Sequence, residues 1–351
     1  MKKIAIIGSG FAGLALSFYL TKEKQRDFDI DLFYDQDIDK SASGVSTGLL
    51  SPYSGMYATS VDDALLAFDE LCSIVRILEE REQTNIFLSK GIFRLASEKR
   101  QMKAFEKRVR KSSDTSLVSS KDLKEKFPFL LKDYQGLYIE KAYSLNAPIY
   151  LKALHSFLKK EKGFNFVQKE VKDLSELREY ESVFLAAGQG SLKFFSQEDI
   201  KEHGLNLVKG QVLEYEIPKE EQVFSQPLVT TKYLIPKEDE NSLLLGATFE
   251  KEFESPKIGQ SEELERLKLK GYDLFPPLKK LKVKEQRSAI RLCSSYHRPL
   301  WGRLNEKVYL LTSLGSKGLL FHALLAKELV KAFFAKEKPK KTLDSPLLWK
   351  P

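Results

Sequence analysis

The sequence predicts an α/β fold, α+β overall, in which a Rossmann-like unit of parallel strands is interrupted by an antiparallel sheet. Three observations predict it. The apolar run Ile4-Ala5-Ile6-Ile7 leads directly into the glycine-rich turn Gly8-Ser9-Gly10-Phe11-Ala12-Gly13 and then into an apolar helical segment. Buried-type strand segments recur at the start, middle and end of the chain. Between them lie closely spaced segments of antiparallel type.

The first strand and its turn have the order that a dinucleotide pyrophosphate requires. One glycine allows the tight turn, the second lets the backbone approach phosphate, and the third lets helix and strand pack closely. The helix N-terminus supplies free N–H groups and the positive end of a dipole. Lys2-Lys3 before an apolar stretch also resembles a secretory leader, but such a leader has no use for three glycines at this spacing. Asp29 to Tyr34 reads as a second parallel strand. Asp35 lies 22 residues beyond Gly13, near where an acid commonly holds a ribose hydroxyl. Tyr34 takes the strand-end position, which puts Asp35 one place late.

Helical spacing covers Asp62 to Arg81 and Pro148 to Lys160, the latter opened by a proline in its first turn. Phe164 to Val171 and Ser182 to Ala187 read as strands, the second ending in Gly188-Gln189-Gly190. Leu207 to Ile217, Gln226 to Pro236 and Leu243 to Phe249 carry antiparallel spacing. Ser261-Glu262-Glu263 starts a helix that Pro276-Pro277 ends. Val283 to Ile290 alternates as a strand, with Arg291 emerging at its end. Val308 to Thr312 is again a buried strand, and Gly315-Ser316-Lys317-Gly318 opens a final apolar helix from Leu319 to Phe334. This order divides the chain into a discontinuous nucleotide-binding domain, residues 1–85, 142–200 and 286–351, and a substrate domain, 86–141 and 201–285.

With 351 residues, 42% of them hydrophobic and 30% charged, the composition is that of a globular protein. Only Cys72 and Cys293 occur, far apart, which excludes a disulfide framework and fits a reducing cytoplasm. Four histidines argue against a histidine-based metal site, so no metal is expected. Apart from the N-terminal segment, no stretch has the length and apolarity of a membrane span. The net charge of +8 gathers in tracts such as Lys99-Arg100, Lys107 to Lys111, Lys279-Lys280 and Lys336 to Lys341. Most are solvated helix faces, while the sustained excess favours an anionic partner such as nucleic acid.

Acid–base groups for difficult chemistry are sparse, as expected where a cofactor performs it. Ala42-Ser43-Gly44-Val45-Ser46-Thr47-Gly48 has the small residues and hydroxyls that can wrap a pyrophosphate, or it is an ordinary loop. Arg291 can hold a carboxylate through two parallel hydrogen bonds, or serve a structural ion pair. Leu314 to Leu319 is another strand–glycine–helix junction.

Taken in order, these motifs resemble the D-amino-acid oxidase/glycine oxidase (DAO) superfamily of FAD enzymes. The matching segments are Gly8-x-Gly10-x-x-Gly13, Ala42-Ser43-Gly44 through Gly48-Leu49-Leu50-Ser51-Pro52, Gly210-Gln211, Tyr233-Leu234-Ile235-Pro236 and Gly246-Ala247-Thr248. Arg291, His297 to Gly302 and the final Gly-Ser-Lys-Gly complete the series. Within it, the loop from Ala42, the Leu314 to Leu319 junction (with lysine where arginine is expected) and Leu348-Trp349 resemble the C-terminal oxidase domains of MnmC-type tRNA-modifying proteins.

The resemblance implies a glutathione-reductase-2/DAO-like fold that binds FAD. It implies cofactor contacts from Gly8, Gly10, Phe11, Ala12, Gly13, Asp35, Ala42, Ser43, Gly44, Gly48, Leu49, Val171, Ala187 and Gly188. Gly315, Ser316, Lys317, Gly318 and Leu319 complete that set, with the helix end facing the flavin ring. Arg291 would clamp a donor carboxylate, Tyr233 would hydrogen-bond it, and Lys317 would add positive charge beside the ring. The implied reaction oxidises the C–N bond of an N-substituted glycine. The expected donor is carboxymethylaminomethyl-uridine of a tRNA anticodon, giving aminomethyl-uridine and glyoxylate. A small-molecule glycine, sarcosine or D-amino-acid oxidase is the alternative, and an NAD-dependent dehydrogenase or non-enzymatic FAD protein a third class.

Overall fold

In the computed structural model, residues 2–23, 27–218, 224–237, 241–255 and 257–335 are described. The Lys336 to Lys341 tract and Leu348-Trp349 lie outside the described residues. The chain begins with β1 (Lys2–Ile7), α1 (Phe11–Thr21) and β2 (Phe28–Tyr34). Three short strands follow, β3 (Leu49–Leu50), β4 (Tyr53–Ser54) and β5 (Thr59–Ser60), then α2 (Ala64–Glu82). Next come β6 (Phe87–Leu95), α3 (Lys99–Val109), β7 (Thr115–Val118), α4 (Ser120–Lys126) and β8 (Gly136–Leu145). The chain returns through α5 (Ala147–Lys159), β9 (Phe164–Gln168), β10 (Ser182–Leu185) and α6 (Gln197–Glu202).

The second antiparallel stretch holds β11 (Leu205–Glu216), β12 (Leu228–Val229), β13 (Tyr233–Lys237) and β14 (Ser242–Gly246). It ends with α7 (Glu262–Leu274) and β15 (Val283–Ser294). β16 (Leu300–Arg303), β17 (Val308–Thr312) and α8 (Gly318–Ala335) close the described chain.

Two sheets organise the molecule. The first has the order β16-β17-β10-β1-β2-β9, parallel throughout except for β16 against β17. Parallel strands covered by helices are buried on both faces, which is why β1, β10 and β17 read as continuous apolar runs. Every residue of α1 except Tyr19 is buried, with α5 and α8 against it. This complete enclosure explains the all-round apolarity that gives the N-terminus its leader-like look. The helix ends follow their chemistry: the Asn146 side chain accepts the Ile149 N–H to start α5, and Ser261 accepts the Leu264 N–H to start α7.

The second sheet has nine strands in the order β15-β11-β14-β13-β12-β6-β8-β3, with β7 also pairing β8. β6 to β8 and β11 to β15, far apart in sequence, therefore share one sheet through the parallel pairing of β12 with β6. Two strand readings are corrected. Gln226 to Pro236 is broken by a bend at Thr230–Lys232 into β12 and β13. Arg291 does not emerge at a strand end: β15 runs on to Ser294, because Leu292 and Ser294 keep pairing with Leu207 and Leu205.

Candidate active site

Three glycine turns lie side by side. β17, β10 and β1 are neighbours in the first sheet, and each ends in one: Gly315, Gly188 and Gly8. All three turns therefore open at the carboxyl edge of parallel strands, where ligands of such sheets bind. Gly8 has φ of +109°, and a Cβ there would lie 2.4 Å from the Ala186 carbonyl oxygen. A Cβ on Gly13 would lie 1.7 Å from the Gly8 oxygen, so only glycine lets α1 approach the turn. Gly10, the N-cap of α1, offers no side-chain cap. The Phe11 amide instead donates to Ser43 Oγ at 2.9 Å, bringing the loop from Ala42 against the helix N-terminus. These glycine contacts and the uncapped helix end fit a pyrophosphate approaching the backbone.

The other residues expected to hold the cofactor are spread over several elements. Ala42 is partly buried, Gly44 and Gly48 are buried, and Leu49 opens β3 opposite Ser144. Ala187 and Gly188 follow β10, and Thr312 Oγ1 donates to the Gly188 carbonyl at 3.2 Å. Val171 is buried in the cluster that contains Phe33, beneath the end of β2. Asp35 is exposed just beyond that strand, and Tyr34 beside it packs on Phe166. The Phe11 and Ala12 side chains point into the core, with Phe11 stacked on His322 at 4.9 Å, which leaves the backbone to face the turn. Ser316 is exposed, Gly318 starts α8, and Leu319 is buried.

The second sheet turns one face towards this edge. Alternation places Arg291 and Ala289 of β15, Gly210 and Val212 of β11, Gly246 and Leu244 of β14, and Tyr233 and Ile235 of β13 on it. Val45 of the loop from Ala42 to Gly48 packs on Val212, Ile235, Leu244 and Ala289. The Arg291 guanidinium lies across Gly210, where a Cβ would come within 3.1 Å of it, and sits 5.8 Å from the Phe249 ring. Gln211, buried on the opposite face, bonds Glu250 at 2.9 Å and accepts from Gln286 at 3.0 Å. That network fixes β11 so that Gly210 stays beneath Arg291.

Among the described residues no carboxylate forms an ion pair with Arg291. Burial holds the Tyr233 hydroxyl above its ordinary pKa, against the opposing pull of Arg291 and a hydrogen bond with Thr47. It therefore stays protonated and able to donate. Cys293, two residues beyond Arg291, has its thiol pushed up by burial, and its Sγ lies 3.3 Å from where a Gly315 Cβ would stand. Thr47, Tyr233, Arg291, Cys293 and Gly315 thus link the loop from Ala42 to Gly48 with the turn at Gly315.

Lys317 donates to the His297 carbonyl oxygen at 3.2 Å, and burial, then Arg298, lowers its pKa. Its ammonium ties the turn at Gly315 to the loop after β15. Several neighbours were not foreseen. Phe249 and Lys232, whose Nζ donates to the Ala247 oxygen at 2.7 Å, flank the arginine's surroundings without any motif to mark them. His322, alone in the apolar run Leu319 to Ala326 of α8, is the one signal the sequence did offer. Among the described residues, no group of three or more His, Cys, Asp or Glu side chains could hold a metal, and no helix is long and apolar enough to cross a membrane.

Residues 3–332 match the family model for FAD dependent oxidoreductases called DAO. A 95-residue segment is 33% identical to the tRNA 5-methylaminomethyl-2-thiouridine biosynthesis bifunctional protein MnmC of Idiomarina loihiensis. That match spans 27% of this chain and 16% of the curated relative. Among solved structures, glycine oxidase from Bacillus cereus superposes with a TM-score of 0.82 at 22% identity, over 100% of this chain and 99% of that one. Glycine oxidase from Geobacillus kaustophilus gives 0.81 at 20% identity, and iminodiacetate oxidase from Chelativorans sp. BNC1 gives 0.80 at 15%, each over 96% of both chains.

Proposed function

The chain belongs to the DAO family of FAD-dependent oxidoreductases, enzymes acting on amines and amino acids, and we propose that its donor is an N-substituted glycine. The observation that carries this reading is Arg291, a partly buried guanidinium laid across a side-chain-free strand position with no carboxylate of the described chain paired to it. A planar fork in that setting suits a carboxylate held by two parallel hydrogen bonds.

When bound, FAD supplies the two-electron acceptor chemistry. The first sheet with α1, α5 and α8 would hold it, through the glycine turns at Gly8, Gly188 and Gly315 and the loop from Ala42 to Leu49. The second sheet would hold the donor. Arg291 would bind the glycyl carboxylate, and the Tyr233 hydroxyl, oriented by Thr47, would donate a further hydrogen bond. Anchoring the carboxylate at two points fixes the direction of the Cα–H bond, and such positioning lowers the barrier without a separate base. The N-terminal end of α8 turns positive potential towards the site, and Lys317 adds to it. The apolar belt of Val45, Val212, Ala289 and Leu244 keeps water from beneath the anchored group.

Loss of two electrons and two protons from the Cα–N bond of the donor leaves an imine. Its hydrolysis releases glyoxylate and the shortened amine. The finer reading is that the amine is the aminomethyl group of a tRNA wobble uridine, carboxymethylated before oxidation. The partial similarity to MnmC and the +8 charge support it. Free glycine, sarcosine or a D-amino acid is the second reading, supported by the glycine oxidases that share the fold.

Anaerobic mixing of the FAD-loaded protein with tRNA carrying carboxymethylaminomethyl-uridine, and in parallel with glycine, sarcosine and D-alanine, tests both. Bleaching of the flavin band by the tRNA at micromolar concentration is expected. Bleaching by the free amino acids alone would discard the RNA donor, and bleaching by none would discard the N-substituted glycine.

A further inference from the structure

The sheet face that carries Arg291 does not end at the apolar belt beneath Val45. One pleat further along the same strands, the apolar belt gives way to charge. Glu214 of β11, almost fully buried, receives Arg287 Nη2 at 3.1 Å and Lys237 Nζ at 3.5 Å on one oxygen, and Lys284 Nζ at 3.2 Å on the other. These groups line a cavity of 520 Å³, within the roughly 300–1,000 Å³ of small-molecule sites. Its opposite wall comes from the cofactor-binding half: Lys40 after β2, Lys152 of α5, and the first turn of α5 from Asn146 to Ile149. Gly44 and Val45 form part of the lining. The glycine turns at Gly8, Gly188 and Gly315 do not, so the cavity is lined by a different set of residues from the glycine cradle.

The lining carries five basic residues against three acidic ones among those described. Glu214 is already shared by three cations. Asp39 meets Lys152 at 3.6 Å, and Glu285 meets Arg287 at 3.5 Å. The Glu285 contact falls on Arg287 Nε, which is buried and makes no hydrogen bond beyond that ion pair. Lys40 and Lys152 make long, largely exposed ion pairs that hold their ammonium groups only weakly. The amino end of α5 adds positive potential to the same wall.

We propose that this cavity binds a compact phosphate-bearing anion, held between Lys284 and Arg287 of the sheet and Lys40 and Lys152 of the opposite wall. A phosphate presents three terminal oxygens in tetrahedral directions and so accepts from both walls at once, which a planar carboxylate does not. Because Val45 packs on the belt that separates the cavity from Arg291, an occupant also braces the cofactor loop.

The test is calorimetric titration of the FAD-saturated full chain with inorganic phosphate, inorganic pyrophosphate and 5′-AMP, with adenosine as the uncharged control. One-to-one binding of at least one phosphate compound is expected, weakened at least tenfold in the Lys40→Glu/Lys152→Glu protein. Both positions are exposed, so that variant keeps its fold, checked by its circular dichroism melt. Tighter binding of 5′-AMP than of phosphate assigns the anion to a nucleotide, and the reverse order to the free ion. Absence of saturable heat with all three, or unchanged affinity in the double variant, overturns the proposal. Neither outcome depends on which donor the enzyme oxidises.

Discussion

The proposed chemistry depends most on one side chain, Arg291. Replacing it with alanine removes a charge-assisted, two-pronged contact worth about 2–3 kcal/mol. kcat/KM for a glycyl donor should therefore fall roughly 30- to 150-fold, while the FAD content of the purified protein stays unchanged. Gly210→Val should mimic that loss without touching the arginine, because its side chain would occupy the space the guanidinium crosses. Steady-state kinetics with sarcosine, beside the flavin-to-protein absorbance ratio, separates the two effects.

A second residue governs stability. His322 is fully buried, its Nδ1 lies 2.9 Å from the Gly318 and Leu319 carbonyl oxygens, and its Nε2 lies 2.8 Å from the Tyr150 hydroxyl. Nδ1 carries the proton, since it faces only acceptors, and Tyr150 donates to Nε2. Burial lowers the imidazole pKa to about 4. The unfolded chain therefore binds the proton first as pH falls. The stabilisation is complete above about 6.5 and is lost between there and about 4, on the order of 3 kcal/mol in all. Urea midpoints measured at pH 7.5 and pH 5 should fall by more in the wild type than in His322→Gln. Equal falls would remove histidine from the account.

At the scale of elements, the first strand–turn–helix was readable because each glycine answers a separate backbone demand. Gly13 is the sharpest case. A methyl group there meets the Gly8 carbonyl at 1.7 Å, so Gly13→Ala must push α1 away from β1. The expected outcome is a protein that purifies with little or no bound FAD, read from its visible spectrum, and that melts at lower temperature. A yellow, fully loaded Gly13→Ala protein would show that the cofactor sits elsewhere.

β6 and β8 were not readable, and the reason is local. Gly91 of β6 has φ of +86°, and the register against β8 shifts between Lys90 and Ile92. That irregularity breaks the alternation on which a strand reading depends. Arg291 misled in the opposite way. A charge after the run ending at Ile290 looks like a strand end. In the structure it lies within a strand, and Gly210 supplies the room on the neighbouring one.

Taken whole, the molecule joins sequence-distant segments into the one face proposed to be catalytic, and this is where reading along the chain had least to offer. The pairing of β12 with β6, and the approach of Thr47 to Tyr233, are set by tertiary packing and leave no periodic mark. The net charge of +8, in contrast, is legible from composition alone, and it bears on the identity of the donor. An RNA-borne donor binds partly by releasing counterions from its phosphates, so its kcat/KM should fall steeply with salt. Each phosphate contact contributes a slope of roughly 0.7 in log affinity against log salt for single strands. Between 50 and 300 mM potassium chloride, four contacts would lower kcat/KM by about two orders of magnitude. For sarcosine, a small zwitterion that the proposed site would hold chiefly at Arg291, the change should stay within a few-fold. Measuring both donors across the same salt series separates the readings: a steep slope for RNA with a flat one for sarcosine supports the tRNA donor. Parallel, shallow slopes would leave the basic surface without a part in substrate binding and favour the free amino acid.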